Sequence, residues 1–305
     1  MPQKKVKLIV NPNADLGRAW KWAADLRPIV DSYGGADWSG TVYPTHATEL
    51  ARQAAEAGYE TIVAAGGDGT VHEVINGLMQ IPAERRPKLG VVPLGSGNDF
   101  SHAVGIPRNN AQAMGRVFTG RPHTFDVGVV RDGLGRTEYW NNSIGIGFDA
   151  TVVIRSRHIP YVRGFLVYLV AVLQTILLDH EAPYFKVKTD QEAWEDYKIM
   201  IVLNNGGREG GGFHIAPPAR PDDGIFHYVA IRRVSRLMML RLLPEVMRGT
   251  HNRFSQVSIQ TFKQMNLSAD RPLNIHTDGE IFAGFGVDVR ELHVEIIPAA
   301  LQVLV

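Results

Sequence analysis

AAGGDGTVHEVINGL, residues 64–78, is the stretch on which the reading of this chain turns. A strand-like run, Thr61 to Ala64, leads into glycines, and Val71, Val74, Ile75 and Leu78 then recur on one helical face. Strand, glycine loop and helix in that order make an anion site. Backbone N–H groups at the helix start point outward, and the macrodipole favours negative charge there. Gly66, Gly67 and Gly69 let the main chain approach a phosphate without side-chain clash, and Thr70 stands at the helix start. No Gly-Lys-Ser/Thr follows, so this is not a Walker loop, and the dinucleotide fingerprint lacks its third glycine. One residue resists the anion reading: Asp68 puts a negative charge in the middle of the loop.

Outward from this stretch, strands and helices alternate. Val6 to Val10, Trp38 to Tyr43 and Leu89 to Leu94 read as strands; segments within 18–33 and 46–58 read as helices. The alternation predicts an α/β domain with a parallel sheet, whose ligands sit beyond the carboxyl ends of the strands. After about residue 124 the texture changes to hairpins, one about Asp132-Gly133 and a second within residues 184–205, followed by more strand-like runs. The expectation is an N-terminal α/β domain over 1–124 and a β-sandwich-like domain over 125–305, with the last strand a candidate to return to the first domain.

Composition narrows the classes. The chain has 305 residues and no cysteine, with 32 Lys+Arg against 31 Asp+Glu. Disulfide frameworks, cysteine–zinc sites and thiol nucleophiles are excluded. Near-zero net charge argues neither for nor against nucleic acid, so any basic patch must be local, and no nucleic-acid partner is expected. The apolar run at the N-terminus is too short for a signal peptide. The most apolar segment, Phe165 to Leu178, falls short of the roughly 20 residues that cross a bilayer, which leaves a core helix or a surface-binding helix.

A second glycine loop, PLGSGNDF, follows one βα unit later and places Asn98 and Asp99 at a helix start. Either residue alone is an ordinary N-cap. Beside the first loop, Asp68 and Asp99 become two acids near one phosphate site. Mg²⁺ makes sense of them, since it is commonly held by one or two carboxylates together with substrate phosphates.

GGDGT, PLGSGNDF, GGGFHIAPPARPDDG and HTDGE, in this order, resemble the diacylglycerol-kinase catalytic-domain family, which is related to sphingosine and ceramide kinases. The resemblance spans nearly the whole chain. It implies ATP and Mg²⁺ as cofactors, an active site in the cleft between the α/β domain and the β-sandwich-like domain, phosphorylation of a lipid hydroxyl, and a cytoplasmic enzyme working at a membrane surface. It implies nucleotide contacts at Asn11, Thr45, Gly66, Gly67, Asp68, Gly69, Thr70, Glu73, Ser96, Asn98 and Asp99. Asp126 is implied to join Asp68 and Asp99 in the Mg²⁺ network. Arg220, Asp223 and Ile225 match a second, structural metal site, and Asp278 and Glu280 match the acids assigned as general base. A homodimer stays open. The first loop departs from the usual pattern, reading NPNADLG, and His72 stands where asparagine is common.

A lipid alcohol needs a carboxylate to accept its proton as the bond to phosphorus forms. TDGE supplies two acids which in an extended chain share a side; a plain Asp-Gly hairpin turn is the alternative. Asp278 is the expected base, with Glu280 its rival or partner. Arg155, Arg157 and Arg163 before the apolar helix, and the arginines within 232–249, could meet an anionic surface, or could be solvated on helices packed against the sandwich. Two other functions compete: an NAD kinase-like phosphotransferase, and a catalytically silent nucleotide- or lipid-binding regulator.

Overall fold

The computed structural model describes residues 5–17, 19–159, 165–179 and 181–305. The chain divides into two compact units, one of Met1–Val127 with Pro298–Val305, the other of Gly128–Ile297. Arg163 lies outside the described residues.

The first unit contains β1 (Val6–Val10), α1 (Ala14–Gly17), α2 (Ala19–Ser32), β2 (Asp37–Gly40), α3 (His46–Glu56), β3 (Thr61–Gly66), α4 (Asp68–Leu78), β4 (Lys88–Pro93), α5 (Asp99–Ala103) and α6 (Asn110–Thr119). Strands run parallel in the order β2-β1-β3-β4. The central strand β3 is buried at every residue. A parallel strand covered on both faces has no polar side, and TIVAAG reads accordingly. Alanines suit α3 because α4 lies close against it: Ala47, Ala51, Ala54 and Ala55 are buried. A Cβ on Gly77 would lie 2.4 Å from the Thr48 carbonyl oxygen.

Strand β5 (Pro122–Asp132) carries the chain into the second unit, and β15 (Glu291–Leu304) carries it back, ending parallel to β4. Between them come β6 (Thr137–Trp140), β7 (Ser143–Gly147), α7 (Phe148–Ser156), α8 (Phe165–Leu178), β8 (Tyr184–Thr189), β9 (Ala193–Asn204), β10 (Phe226–Arg232), α9 (Arg236–Arg248), β11 (Val257–Phe262), β12 (Gln264–Ala269), β13 (Ile275–Thr277) and β14 (Glu280–Ala283). The hairpins expected about Asp132-Gly133 and within 184–205 are β5–β6 and β8–β9.

β9 explains how the second unit is layered. Its first half pairs with β8 and alternates in burial; its second half lies between β7 and β10 and is buried throughout. Ile201 and Leu203 join the sandwich core with Trp140, Phe226 and Phe262. Ile199 and Val202 face the other way, into a cluster with Ile176, Val229, Met239 and Leu242. A half-strand covered by a second sheet on one side and by helices on the other must be apolar at consecutive positions, and IMIVL is.

Candidate active site

In the first unit Gly66 pairs with Pro93, so the two glycine loops leave neighbouring parallel strands side by side. They pack backbone to backbone. A Cβ on Gly95 would lie 2.5 Å from the Gly67 Cα, closer than real atoms approach. Asn98, in the left-handed region at φ 50°, closes the second loop: its Oδ1 accepts the Gly95 N–H at 3.0 Å and its Nδ2 donates to the Gly95 carbonyl at 2.7 Å. Asn11 Nδ2 donates to Thr70 Oγ1 at 3.1 Å, fixing the start of α4 from the first loop of the chain.

Asp68 is the first residue of α4, and its Oδ1 accepts the Phe100 N–H at 3.2 Å, in the first turn of α5. The acid in the glycine loop therefore sits at the positive ends of two helices, where negative charge is favoured. Asp99 and Asp126 are buried, and Asp126 Oδ1 accepts the Ala299 N–H at 2.7 Å. Among the described residues, Asp68, Asp99 and Asp126 do not close into a group of three ligand atoms within 4.8 Å; Asp149, Glu209 and His276 of the second unit do.

Glu73 does local work. Its carboxylate accepts the Thr45 and Ala47 N–H groups at 2.9 and 3.0 Å, capping α3 and holding Thr45 at φ 70°. Ser96 is exposed on the second loop.

In the second unit the TDGE segment forms the β13–β14 hairpin, with Thr277 opposite Glu280. Asp278 and Gly279 both have positive φ, 52° and 85°, the signature of a type I′ turn. The Asp-Gly turn of the alternative reading is therefore present, with both acids at it. The expectation that both acids share a side fails, because the chain reverses between them. Asp278 is buried, and its carboxylate accepts four hydrogen bonds: from the Asn141, Asn142 and Ser143 N–H groups at 2.9, 2.8 and 3.0 Å and from Asn141 Nδ2 at 2.7 Å. Glu280 is half-exposed, and its Oε2 meets Arg157 Nη2 at 2.7 Å.

The residues before the turn are also held. Thr277 donates to Glu138, which pairs with Arg136. His276 is fully buried with Nε2 at 2.8 Å from Asp149 and 2.9 Å from Glu209. Burial opposes charging of this imidazole. The Glu209 charge, followed by the Asp149 hydrogen bond, overrides burial and raises His276 to about 10. The Gly279 N–H also faces Nδ1, at 3.2 Å, a contact that only the singly protonated ring accepts. The two shorter, charged contacts on Nε2 outweigh that longer neutral one. Space for the cluster comes from Gly145, where a Cβ would lie 1.9 Å from Asp149 Oδ2.

Asp149 and Glu209 also border an apolar cavity of about 90 Å³, walled by α7, α8, α9 and the buried half of β9, with Val152, Val172, Ile199 and Met239 among its lining. Beside it, α8 is only partly covered: Ala171, Thr175 and Ile176 are buried, while Leu166, Leu177 and Leu178 are exposed. Among the described residues no helix is long and apolar enough to cross a membrane. Arg220 and Asp223 lie exposed on the loop leading into β10, and Asp223 Oδ1 accepts the Ile225 N–H at 3.2 Å.

Sequence reasoning missed Asn141, Asn142 and Ser143, which cradle Asp278, and the Asp149–His276–Glu209 cluster. The signal available was the consecutive Asn-Asn-Ser before an apolar strand, polar residues with no turn glycine among them. Nothing in the sequence paired them with a residue more than 130 positions away.

Residues 5–130 match the diacylglycerol kinase catalytic domain, and residues 142–305 match the YegS C-terminal NAD kinase beta sandwich-like domain. The chain is 30% identical over 234 residues to a YegS-like protein of Chromohalobacter salexigens described as a lipid kinase, covering 76% of this chain and 73% of the other. It is 27% identical to a diacylglycerol kinase of Mycobacterium tuberculosis, covering 98% of this chain and 94% of the other. A crystal structure of a diacylglycerol kinase from Bacillus anthracis shares the fold, with a TM-score of 0.75 at 21% identity over 100% of this chain and 97% of that one. With both halves matched in sequence and the whole chain matched in fold, the protein belongs to the diacylglycerol kinase catalytic-domain family, in the form that carries a YegS-type C-terminal domain.

Proposed function

We propose that the chain is an ATP-dependent lipid kinase, transferring the γ-phosphate to the hydroxyl of a lipid such as diacylglycerol. The observation that carries this is the backbone-to-backbone packing of Gly67 on Gly95. It sets two loops at the ends of β3 and β4, beside the first turns of α4 and α5, a built place for a polyphosphate. The apolar cavity of the second unit supports a hydrocarbon-bearing acceptor, and the relatives' descriptions agree.

Asn11, Thr45, Ser96 and the segment Gly66–Glu73 would receive the nucleotide, with Asn11 and Glu73 acting through the backbone they shape. Two carboxylates beside a phosphate loop suit the Mg²⁺ donor set of one or two carboxylates plus phosphates, so Asp68 and Asp99 would hold the ion, with Asp126 behind them. When bound, the ion supplies charge neutralisation at the phosphates. A structural cation on the Arg220–Ile225 loop belongs to the same proposal.

For the base, the hydrogen-bond arrangement favours Glu280 over Asp278. Four donors occupy the Asp278 carboxylate, whereas Glu280 is half-exposed with a single charged partner. The lipid hydroxyl passes its proton to Glu280 as its oxygen attacks the γ-phosphorus, and ADP departs with the bridging oxygen. Asp278 is then a positioning residue that shapes the turn.

The exposed leucines of α8, with Leu237 and Leu240 of α9 and the arginines among them, suit peripheral contact with an anionic bilayer. Replacing Leu177 and Leu178 by serine should reduce co-sedimentation with phosphatidylglycerol vesicles; unchanged binding rejects this contact.

The deciding experiment is incubation with labelled ATP and Mg²⁺ over a total lipid extract. A labelled lipid supports the reading. Formation of NADP from added NAD without lipid labelling would establish the NAD kinase alternative. Nucleotide binding without turnover on any lipid would establish the silent regulator.

A further inference from the structure

The acid turn is gripped from outside by one arginine. Arg157 is the C-terminal cap of α7. Its Nη2 donates to the Gly279 carbonyl at 2.9 Å and to Glu280 Oε2 at 2.7 Å. One guanidinium therefore spans both the turn backbone and the side chain that follows it. Both bonds leave the single Nη2, whose two N–H groups are held in the guanidinium plane, whereas the donors of a lysine ammonium rotate freely.

Energetics separate this contact from a structural one. The two side chains are 43% and 46% exposed. An ion pair in that setting contributes between zero and about 1 kcal/mol to stability. The turn does not need it to fold, since Asp278 is held by four inward hydrogen bonds and His276 by two buried carboxylates. What the arginine does fix is the rotamer of Glu280, a long and otherwise mobile carboxylate. The same helix walls the apolar cavity through Phe148, Asp149, Val152 and Val153. One rigid element thus touches both the proposed acyl chain and the proposed base.

We propose that Arg157 is a positioning residue that holds the Glu280 carboxylate in its working orientation from the end of the helix that lines the apolar cavity. This rests on the reading of Glu280 as the base. The proton accepted by Glu280 comes from the lipid hydroxyl; Arg157 neither gives nor takes one.

The test is steady-state kinetics of the full chain with ATP, Mg²⁺ and the lipid identified by labelling. Arg157→Ala should lower kcat roughly tenfold or more, the scale of a misplaced reacting group, with KM for ATP within about twofold. Its Tm should stay within about 2 °C, as expected of an exposed pair. Arg157→Lys should recover only part of the loss, and added guanidinium should restore activity to Arg157→Ala but not to Glu280→Gln. In the Glu280→Gln background, Arg157→Ala should have no further effect. Unchanged kcat in Arg157→Ala overturns the inference, as does an additive loss in the double variant, which would mean that the arginine acts elsewhere. Full activity in Glu280→Gln would instead overturn the base assignment. Loss in Glu280→Gln with none in Arg157→Ala leaves the base standing and rejects this inference alone.

Discussion

The Asp68 carboxylate accepts the Phe100 N–H at 3.2 Å, joining the first residue of α4 to the first turn of α5. Its charge and its hydrogen bond can be separated. Asp68→Asn keeps an acceptor for Phe100 and removes the charge; Asp68→Ala removes both. Asparagine caps helices about as well as aspartate. The Asn variant should therefore melt close to the parent while losing kinase activity by about 10²-fold, the scale of one removed electrostatic contact. The Ala variant should in addition lose about 1 kcal/mol of stability, the usual worth of a cap. Thermal melts beside turnover on the labelled lipid check both. Full activity in Asp68→Asn would remove this acid from the mechanism.

Gly95→Ala tests the loop packing. The added methyl would lie 2.5 Å from the Gly67 Cα, a backbone atom with little room to yield. Forced shifts of this kind cost about 1–3 kcal/mol. ATP affinity should fall together with Tm, measured by calorimetry and titration. Gly115→Ala, inside α6 with nothing within 4 Å of the added atom, should instead stabilise by about 0.5–1 kcal/mol, the usual gain of alanine over glycine within a helix.

The two acids of the turn should behave differently. Glu280→Gln removes a half-exposed carboxylate and should leave Tm nearly unchanged while lowering kcat by roughly 10² or more. Asp278→Ala strips the acceptor from three buried N–H groups, each costing about 1–3 kcal/mol when unsatisfied. That variant should be strongly destabilised, with activity lost alongside structure. Urea unfolding with parallel kinetics separates the two outcomes. Stable and inactive Asp278→Ala together with active Glu280→Gln would reverse the assignment.

His276 makes stability depend on pH. Its folded-state value, raised to about 10 by Glu209 and Asp149, exceeds the ordinary 6.5. A raised value means that the folded chain binds a proton which the unfolded chain has released. The stabilisation is complete below about pH 6.5 and is lost as pH climbs toward 10. Urea midpoints measured from pH 6.5 to 10 should fall for the parent chain and change less for His276→Gln. Parallel profiles for the two would dissociate His276 from this dependence.

Much of this architecture was legible before any coordinates. The strand–helix alternation of the first unit, the β5–β6 and β8–β9 hairpins and the two glycine loops all follow from local pattern. Thr61–Gly66 is buried at every position, and apolar from Ile62 onward, because both faces are covered. The acids were legible as candidates but not as roles. Asp278 and Glu280 look equivalent in TDGE, two residues apart in an extended strand. A two-residue turn with positive φ at Asp278 and Gly279 sends one inward and leaves the other half-exposed.

The sequence by itself determined the periodicities, the turn chemistry and the family, because these depend on residues within a few positions of one another or on motif order. Tertiary structure alone decided the company each charge keeps. Asn141 lies 137 positions from Asp278, and Arg157 lies 123 from Glu280. Contacts at such separations are set by how strands and helices stack, and no local pattern records them. Asp68 shows the same division: its place in a glycine loop is plain in the sequence, while the α5 amide that donates to it is 32 residues away and meets it only because β3 and β4 lie side by side.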